Sequence, residues 1–241
     1  MDGLLLVDHV NSDLRNENAL KYVLGSWIES FKKIKGDSGT VELLVRAYGG
    51  WWFDGVASLE RDQAFEYYQS ACPSLIATHG VIARVRFEFA DYLLVDTSKR
   101  AKISHSVGIR TKPERLRAKM VSGSCRIQGC ASESILSWAR NKKACPHNQC
   151  DKAFADRFER LEQKQVDVHL SMDLYCAAKS NLIREIAVLS ADMDVMPAVL
   201  AAGICSDESV HVSLIRNARS NVSMDPHMDR VGVSLLELGE L

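Results

Sequence analysis

Leu4-Leu5-Leu6-Val7 is an unbroken apolar run closed by Asp8. A run this short is the length of a strand, and its lack of polar alternation says that both faces are buried, so it predicts a strand inside a parallel sheet. The segments that follow alternate in kind. Leu20, Val23, Leu24, Trp27, Phe31 and Ile34 recur at helical spacing up to Gly36-Asp37-Ser38-Gly39, and Val41–Tyr48 predicts a second strand ending at Gly49-Gly50. A helix is expected over Glu60–Cys72. Between Val81 and Val95, Val85, Phe87 and Phe89 alternate with Arg84, Arg86 and Glu88, which predicts a strand with one wet face. Further on, helices are expected over Ala153–Lys164 and His169–Ala178, and a strand over Glu185–Ser190. A helix opened by Pro197 should run to about Ala202 with Gly203 as its stop. Val210–Ile215 and Val231–Leu236 predict the last strands. Alternating strands and helices predict an α/β fold with a mainly parallel central sheet and helices on both faces.

The 241 residues read as one domain, 1–241, carrying a basic, cysteine-rich insert at 97–150. With 46% hydrophobic and 25% charged residues, wholesale disorder is excluded. The most apolar stretch, Ile186–Ile204, is interrupted by Asp192 and Asp194, and no run approaches the ~20 apolar residues of a membrane span. The segment after Met1 has neither the positive start nor the longer apolar stretch of a secretory signal. Seven cysteines are an odd number and too few for a disulfide scaffold, so a cytoplasmic protein with reduced thiols or a metal site is expected.

Carboxylates follow the two clearest buried strands, in Asp8-His9-Val10-Asn11 and in Ser190-Ala191-Asp192-Met193-Asp194. Ligands of open α/β sheets gather beyond the carboxyl ends of the strands, so both loops are expected to open onto one crevice. Asp173 is a third candidate: on a helix it shares a face with Leu170 and Cys176, which would hold its carboxylate near the sheet edge. Clustered carboxylates repel unless a cation lies between them, and Mg²⁺ or Mn²⁺ suits oxygen ligands and can activate water against a phosphodiester. The simpler reading is that Asp8 and Asp192 only cap the helices after them. A haloacid-dehalogenase-type nucleophile would want a second Asp two residues after Asp8, and that position is Val10.

Three stretches resemble the NYN domain family, a branch of the PIN-like nucleases. Asp8-His9-Val10-Asn11 is similar to the family's Asp-Gly-x-Asn. Lys164-Gln165-Val166-Asp167-Val168, with Asp173 after it, resembles its Lys-Gly-Val-Asp-Val and following helix Asp. Ser190-Ala191-Asp192-Met193-Asp194-Val195-Met196-Pro197 resembles its Ser-Gly-Asp-x-Asp-Phe-x-Pro. The resemblance implies a PIN-like, metal-dependent ribonuclease with Asp8, Asp173, Asp192 and Asp194 as the Mg²⁺ or Mn²⁺ ligands. It also implies that Asn11 positions a carboxylate or phosphate, while Asp167 is structural. His9, Gln165 and Ala191 stand where the family has Gly, and Val195 where it has an aromatic, which restricts the loop backbones.

Cys125 and Cys130, then Cys145 and Cys150, form two equally spaced pairs with fourteen residues between them. That arrangement suits a structural Zn²⁺ site, with His147 able to replace one thiolate, although scattered cysteines would look similar. Cys72, Cys176 and Cys205 lie in apolar surroundings and are expected in the core. Thr97–Cys150 carries twelve basic residues against two acidic ones, so the net charge of -1 hides a basic block within an acidic body. Such a block is either a solvated face or a phosphate-binding surface for RNA. Trp138 within it could stack a base or pack the insert. The expected function is RNA phosphodiester hydrolysis. The alternative is a noncatalytic RNA-binding or adaptor protein that keeps the fold.

Overall fold

The computed structural model describes residues 1–9, 12, 17–31, 39–53, 56–78, 80–94, 107–110, 160–163, 165–180, 182–217 and 227–238. The chain divides into two compact units, Met1–Ser106 with Lys164–Leu241, and Val107–Gln163.

The larger unit is built on a seven-stranded sheet. Its strands are β1 (Gly3–Asp8), β2 (Gly39–Tyr48), β5 (Leu75–Thr78), β6 (Val81–Phe89), β9 (Glu185–Leu189), β10 (His211–Asn217) and β11 (Val233–Leu238). Two short strands, β3 (Trp52–Phe53) and β4 (Val56–Ala57), pair with each other apart from it. The sheet order is β11-β10-β9-β1-β2-β6-β5, and every pairing is parallel except β5 with β6. The chain therefore adds β2 and β6 on one side of β1, then returns to add β9, β10 and β11 on the other. The winding reverses between β1 and β9, the position at which open α/β sheets form a crevice at their carboxyl ends.

Among the described residues four α-helices cover the sheet: α1 (Glu17–Ser30), α2 (Leu59–Ala71), α3 (Val166–Ser180) and α4 (Met196–Cys205). Side chains along a strand alternate between faces, and the core divides accordingly. Leu5 and Val7 of β1 join Leu20, Val23, Leu24, Trp27 and Ile28 of α1 and Ala64, Tyr68 and Ala71 of α2. Leu4 and Leu6 join Leu170, Leu174 and Ala177 of α3 and Val199 and Ala202 of α4. The expected mixed α/β, mostly parallel architecture with helices on both faces is thus present. Among the described residues no helix is long and apolar enough to cross a membrane.

Three local expectations differ from the structure. The wet-faced strand ends at Phe89, and Asp91–Leu94 is irregular, held by side chains described below. Of the helix expected over Ala153–Lys164, the described part is strand β8 (Arg160–Gln163), antiparallel to β7 (Val107–Arg110) in the smaller unit; that cross-strand pairing lies some fifty residues away in sequence, beyond what local periodicity can report. Gly203 does not stop α4, which runs to Cys205. It is a contact residue: a Cβ there would meet Val233 Cγ2 at 2.5 Å and the Val231 carbonyl at 2.8 Å, so glycine lets the helix approach the β11 end of the sheet.

Candidate active site

Asp8 is the last residue of β1, and the register that pairs Val7 with Leu189 sets Ser190 beside it at the end of β9. The Asp8 carboxylate is buried, 1% exposed, and accepts a hydrogen bond from the Ser190 hydroxyl at 2.9 Å. The same hydroxyl oxygen accepts from the Asp192 backbone N–H at 3.0 Å. Ser190 therefore fixes the Asp8 side chain and the turn that carries Asp192 with one oxygen. Asp192 caps a single 3-10 turn, Met193–Val195, its side chain accepting from the Asp194 N–H at 3.0 Å. The capping role weighed from the sequence is thus real for Asp192. It leaves Asp194 exposed on that turn.

Asp167, in the first turn of α3, completes this group. Burial, then the charges of Asp8, Asp192 and Asp194, hold its carboxyl above the ordinary range. Four carboxylates from three separate chain segments therefore share one electrostatic neighbourhood at the carboxyl ends of β1 and β9. Gln165, two residues earlier, has φ 64°, the left-handed conformation that glycine adopts freely, and its carbonyl accepts the His169 N–H at 2.8 Å to start α3.

Asp173 lies on the buried face of α3 with Leu170, as its spacing predicts, but its carboxylate turns toward β2. It is 0% exposed. One oxygen accepts from Arg46 Nε at 3.0 Å and from the Tyr48 hydroxyl at 2.8 Å, and the other from the Leu94 N–H at 2.7 Å. His169 Nε2 stands 3.5 Å away and donates to the Tyr92 carbonyl at 3.2 Å. Arg46 also reaches the Tyr92 carbonyl and Glu88. Asp173 is thereby spent on an internal network that fastens the Asp91–Leu94 loop, and it is not among the charges acting on Asp167. Burial, followed by the Asp173 charge, pushes the Tyr48 hydroxyl well above the usual tyrosine range, so it stays a neutral donor.

His9 extends β1 into an aromatic cluster. Its Nδ1 lies 3.2 Å from the Tyr68 hydroxyl, and its ring packs 5.2 Å from Trp51 and 6.5 Å from Tyr67. Burial lowers its pKa, which favours the neutral ring. Nearby, Asp91 ties Trp52 Nε1 at 2.8 Å to Arg61 Nη2 at 3.0 Å.

Asn11, the zinc candidates Cys125, Cys130, Cys145 and Cys150, His147 and Trp138 lie outside the described residues. Cys72 is buried, and Cys176 and Cys205 half-buried; all three are free thiols. Ser190 and the Arg46–Tyr48 pair were not singled out from sequence, because their roles exist only across strands. Asp167 was named there, and the one signal for its place is its position at the start of a helix that packs over β1.

The oxygen donors of Asp8, Asp167, Asp192 and Asp194 fit Mg²⁺ or Mn²⁺ in kind. As they stand, no three His, Cys, Asp or Glu side chains among the described residues are grouped closely enough to hold a metal ion. Comparison with protein-family models, with curated proteins and with solved structures finds no match.

Proposed function

We propose that the acidic rim beyond β1 and β9 is a metal-dependent phosphodiesterase site, and that the protein is a ribonuclease of the PIN-like, NYN type that its motifs resemble. The observation that carries this reading is the raised carboxyl of Asp167, with Asp8, Asp192 and Asp194 among its causes. Like charges gathered at a sheet's ligand-binding edge cost stability unless a cation resolves them. In this reading Asp167 takes the place that the motif resemblance gives to Asp173, because both Asp173 oxygens are already engaged.

Each residue has a distinct task. Asp8 is a fixed ligand, its geometry set by Ser190. Asp192 and Asp194 sit on a turn whose side chains reach solvent and can rotate onto a cation. Asp167 approaches from the helix side. Mg²⁺ or Mn²⁺ bound among them would supply an activated water and neutralise the leaving oxygen. The basic excess of Thr97–Cys150 supports a polyanionic substrate, and its four cysteines, Cys125, Cys130, Cys145 and Cys150, are proposed as ligands of a structural Zn²⁺.

The test is cleavage of RNA in Mn²⁺ by the full chain, with and without chelator, beside Asp192→Asn and Asp167→Asn. Loss of cleavage in chelator and in both variants is expected. Cleavage that survives both would remove the assigned site, and RNA bound without cleavage in any of them would favour the noncatalytic adaptor. About one equivalent of bound Zn²⁺, lost in Cys145→Ser, is the expected outcome of metal analysis.

A further inference from the structure

At the opposite edge of the sheet a second polar group crosses three neighbouring strands. Glu185 begins β9, His211 begins β10 and Ser234 is the second residue of β11. The register pairs His211 with Glu185, and Ser213 with Ser234, so the side chains fall on one face in a row. They lie about 15 Å along β9 from the acidic rim, at the rise of a parallel strand. Glu185 is buried, and its Oε2 lies 3.1 Å from His211 Nδ1. Ser234 Oγ lies 2.8 Å from His211 Nε2. Ser213 Oγ is 3.4 Å from Nδ1 as a weaker second partner.

The protonation pattern follows from the chemistry of the groups. An ionised carboxylate only accepts, so Nδ1 carries the ring proton and donates it to Glu185. In the neutral ring Nε2 is then a lone pair, and the Ser234 hydroxyl, 2.8 Å away, donates to it. A carboxylate orienting an imidazole whose other nitrogen takes a serine proton is the arrangement that activates a serine nucleophile, and it is recognised by geometry and roles in any chain order. The burial gradient runs the right way: the orienting carboxylate is sealed, the imidazole is 43% exposed and Ser234 is open to solvent. Among the described residues β11 is a sheet edge paired only with β10.

We propose that Glu185, His211 and Ser234 form an acyl-transfer centre for short carboxylic esters with good leaving groups. Ser234 Oγ forms a bond to the ester carbonyl carbon while its proton passes to His211 Nε2. The carbonyl–oxygen bond to the leaving group then breaks, and the departing alcohol or phenol takes that proton. Water attacks the acyl-serine, giving one proton to His211, which returns it to Ser234 Oγ as the carboxylic acid leaves. Glu185 stays ionised throughout and stabilises the imidazolium.

The experiment uses the full chain with 4-nitrophenyl acetate, following nitrophenol release and locating the acetyl group by peptide mapping. A burst of about one equivalent with acetyl on Ser234 is expected. Ser234→Ala, a change at an exposed position, should abolish it. His211→Gln should slow acylation on the order of 10²-fold or more, and Asp192→Asn should leave it unchanged. Acetylation spread over other residues, or an undiminished rate in His211→Gln, would overturn the assignment. Because Asp192 lies at the other edge, failure here leaves the nuclease reading standing, and the reverse also holds.

Discussion

Arg46 of β2 and Asp173 of α3 are joined at 3.0 Å, with their side chains 5% and 0% exposed. Burying such a pair costs desolvation that their attraction only offsets when the remaining polar atoms are also satisfied, and here Tyr48, Leu94, Glu88 and the Tyr92 carbonyl satisfy them. Removing one member strands the other. Asp173→Ala should lower the free energy of unfolding by about 3–5 kcal/mol, read from urea denaturation. A loss under about 1 kcal/mol would show that the network contributes little, on the scale of an exposed ion pair.

The neighbouring pair Asp167 and Asp173 shows what could be read from sequence and what could not. Both fall on one helix, and helical spacing correctly places Asp173 among apolar neighbours. Spacing does not say where a carboxylate on that face finds its partner, because Arg46 is contributed by a strand more than a hundred residues earlier. The alternation of apolar runs was enough for the parallel sheet, since buried strands carry their own signature in each segment. The edge strand β5 and strand β8 were missed for the opposite reason: each is defined by an antiparallel partner, not by its own pattern. The carboxyl-end loops were legible because Asp8 and Asp192 each follow a strand directly, whereas Ser190, which links them, was visible only as one letter of a motif.

Asp167 leads to a counterintuitive expectation. Its folded-state pKa is raised above the reference value of 3.8, by burial first and then by its acidic neighbours. Such a group favours folding most in acid, and that contribution is lost as pH rises from 3.8 through the folded value. At neutral pH the ionised Asp167 opposes folding. Asp167→Asn should therefore raise the melting temperature at neutral pH, with the advantage shrinking toward the acid end of that window. A variant less stable than wild type at neutral pH would show that Asp167 makes a favourable contact outweighing the repulsion.

His9 and His169 titrate in the other direction. Burial lowers both below the reference 6.5, although Asp173 and the Tyr92 carbonyl partly oppose this at His169. Their contribution is intact above 6.5 and is lost as pH falls from there through the folded-state values, because the unfolded chain takes up protons first. His9→Phe keeps a ring against Trp51 and Tyr67 but cannot titrate. It should cost about 1 kcal/mol at neutral pH for the Tyr68 hydroxyl left without this partner, and should flatten the decline of stability below 6.5. An unchanged slope between the two proteins, measured by denaturation across that range, would assign the decline to other groups.

Gln165 stands at the entrance to α3 with φ 64°. An L-residue in this left-handed region crowds its Cβ against the following carbonyl, at a cost of about 1–2 kcal/mol that glycine avoids. Glycine in turn loses roughly 0.5–1 kcal/mol more backbone entropy on folding. The balance favours Gln165→Gly by about 0.5–1 kcal/mol, the reverse of what glycine does inside a helix. Gln165→Val should move stability the other way, since a β-branched side chain tolerates this conformation least. Urea midpoints at unchanged m-values measure both. A destabilised Gln165→Gly would mean that the side chain of Gln165 contributes a contact worth more than the strain, and the loop ahead of Asp167 would then depend on that side chain as well as on its backbone.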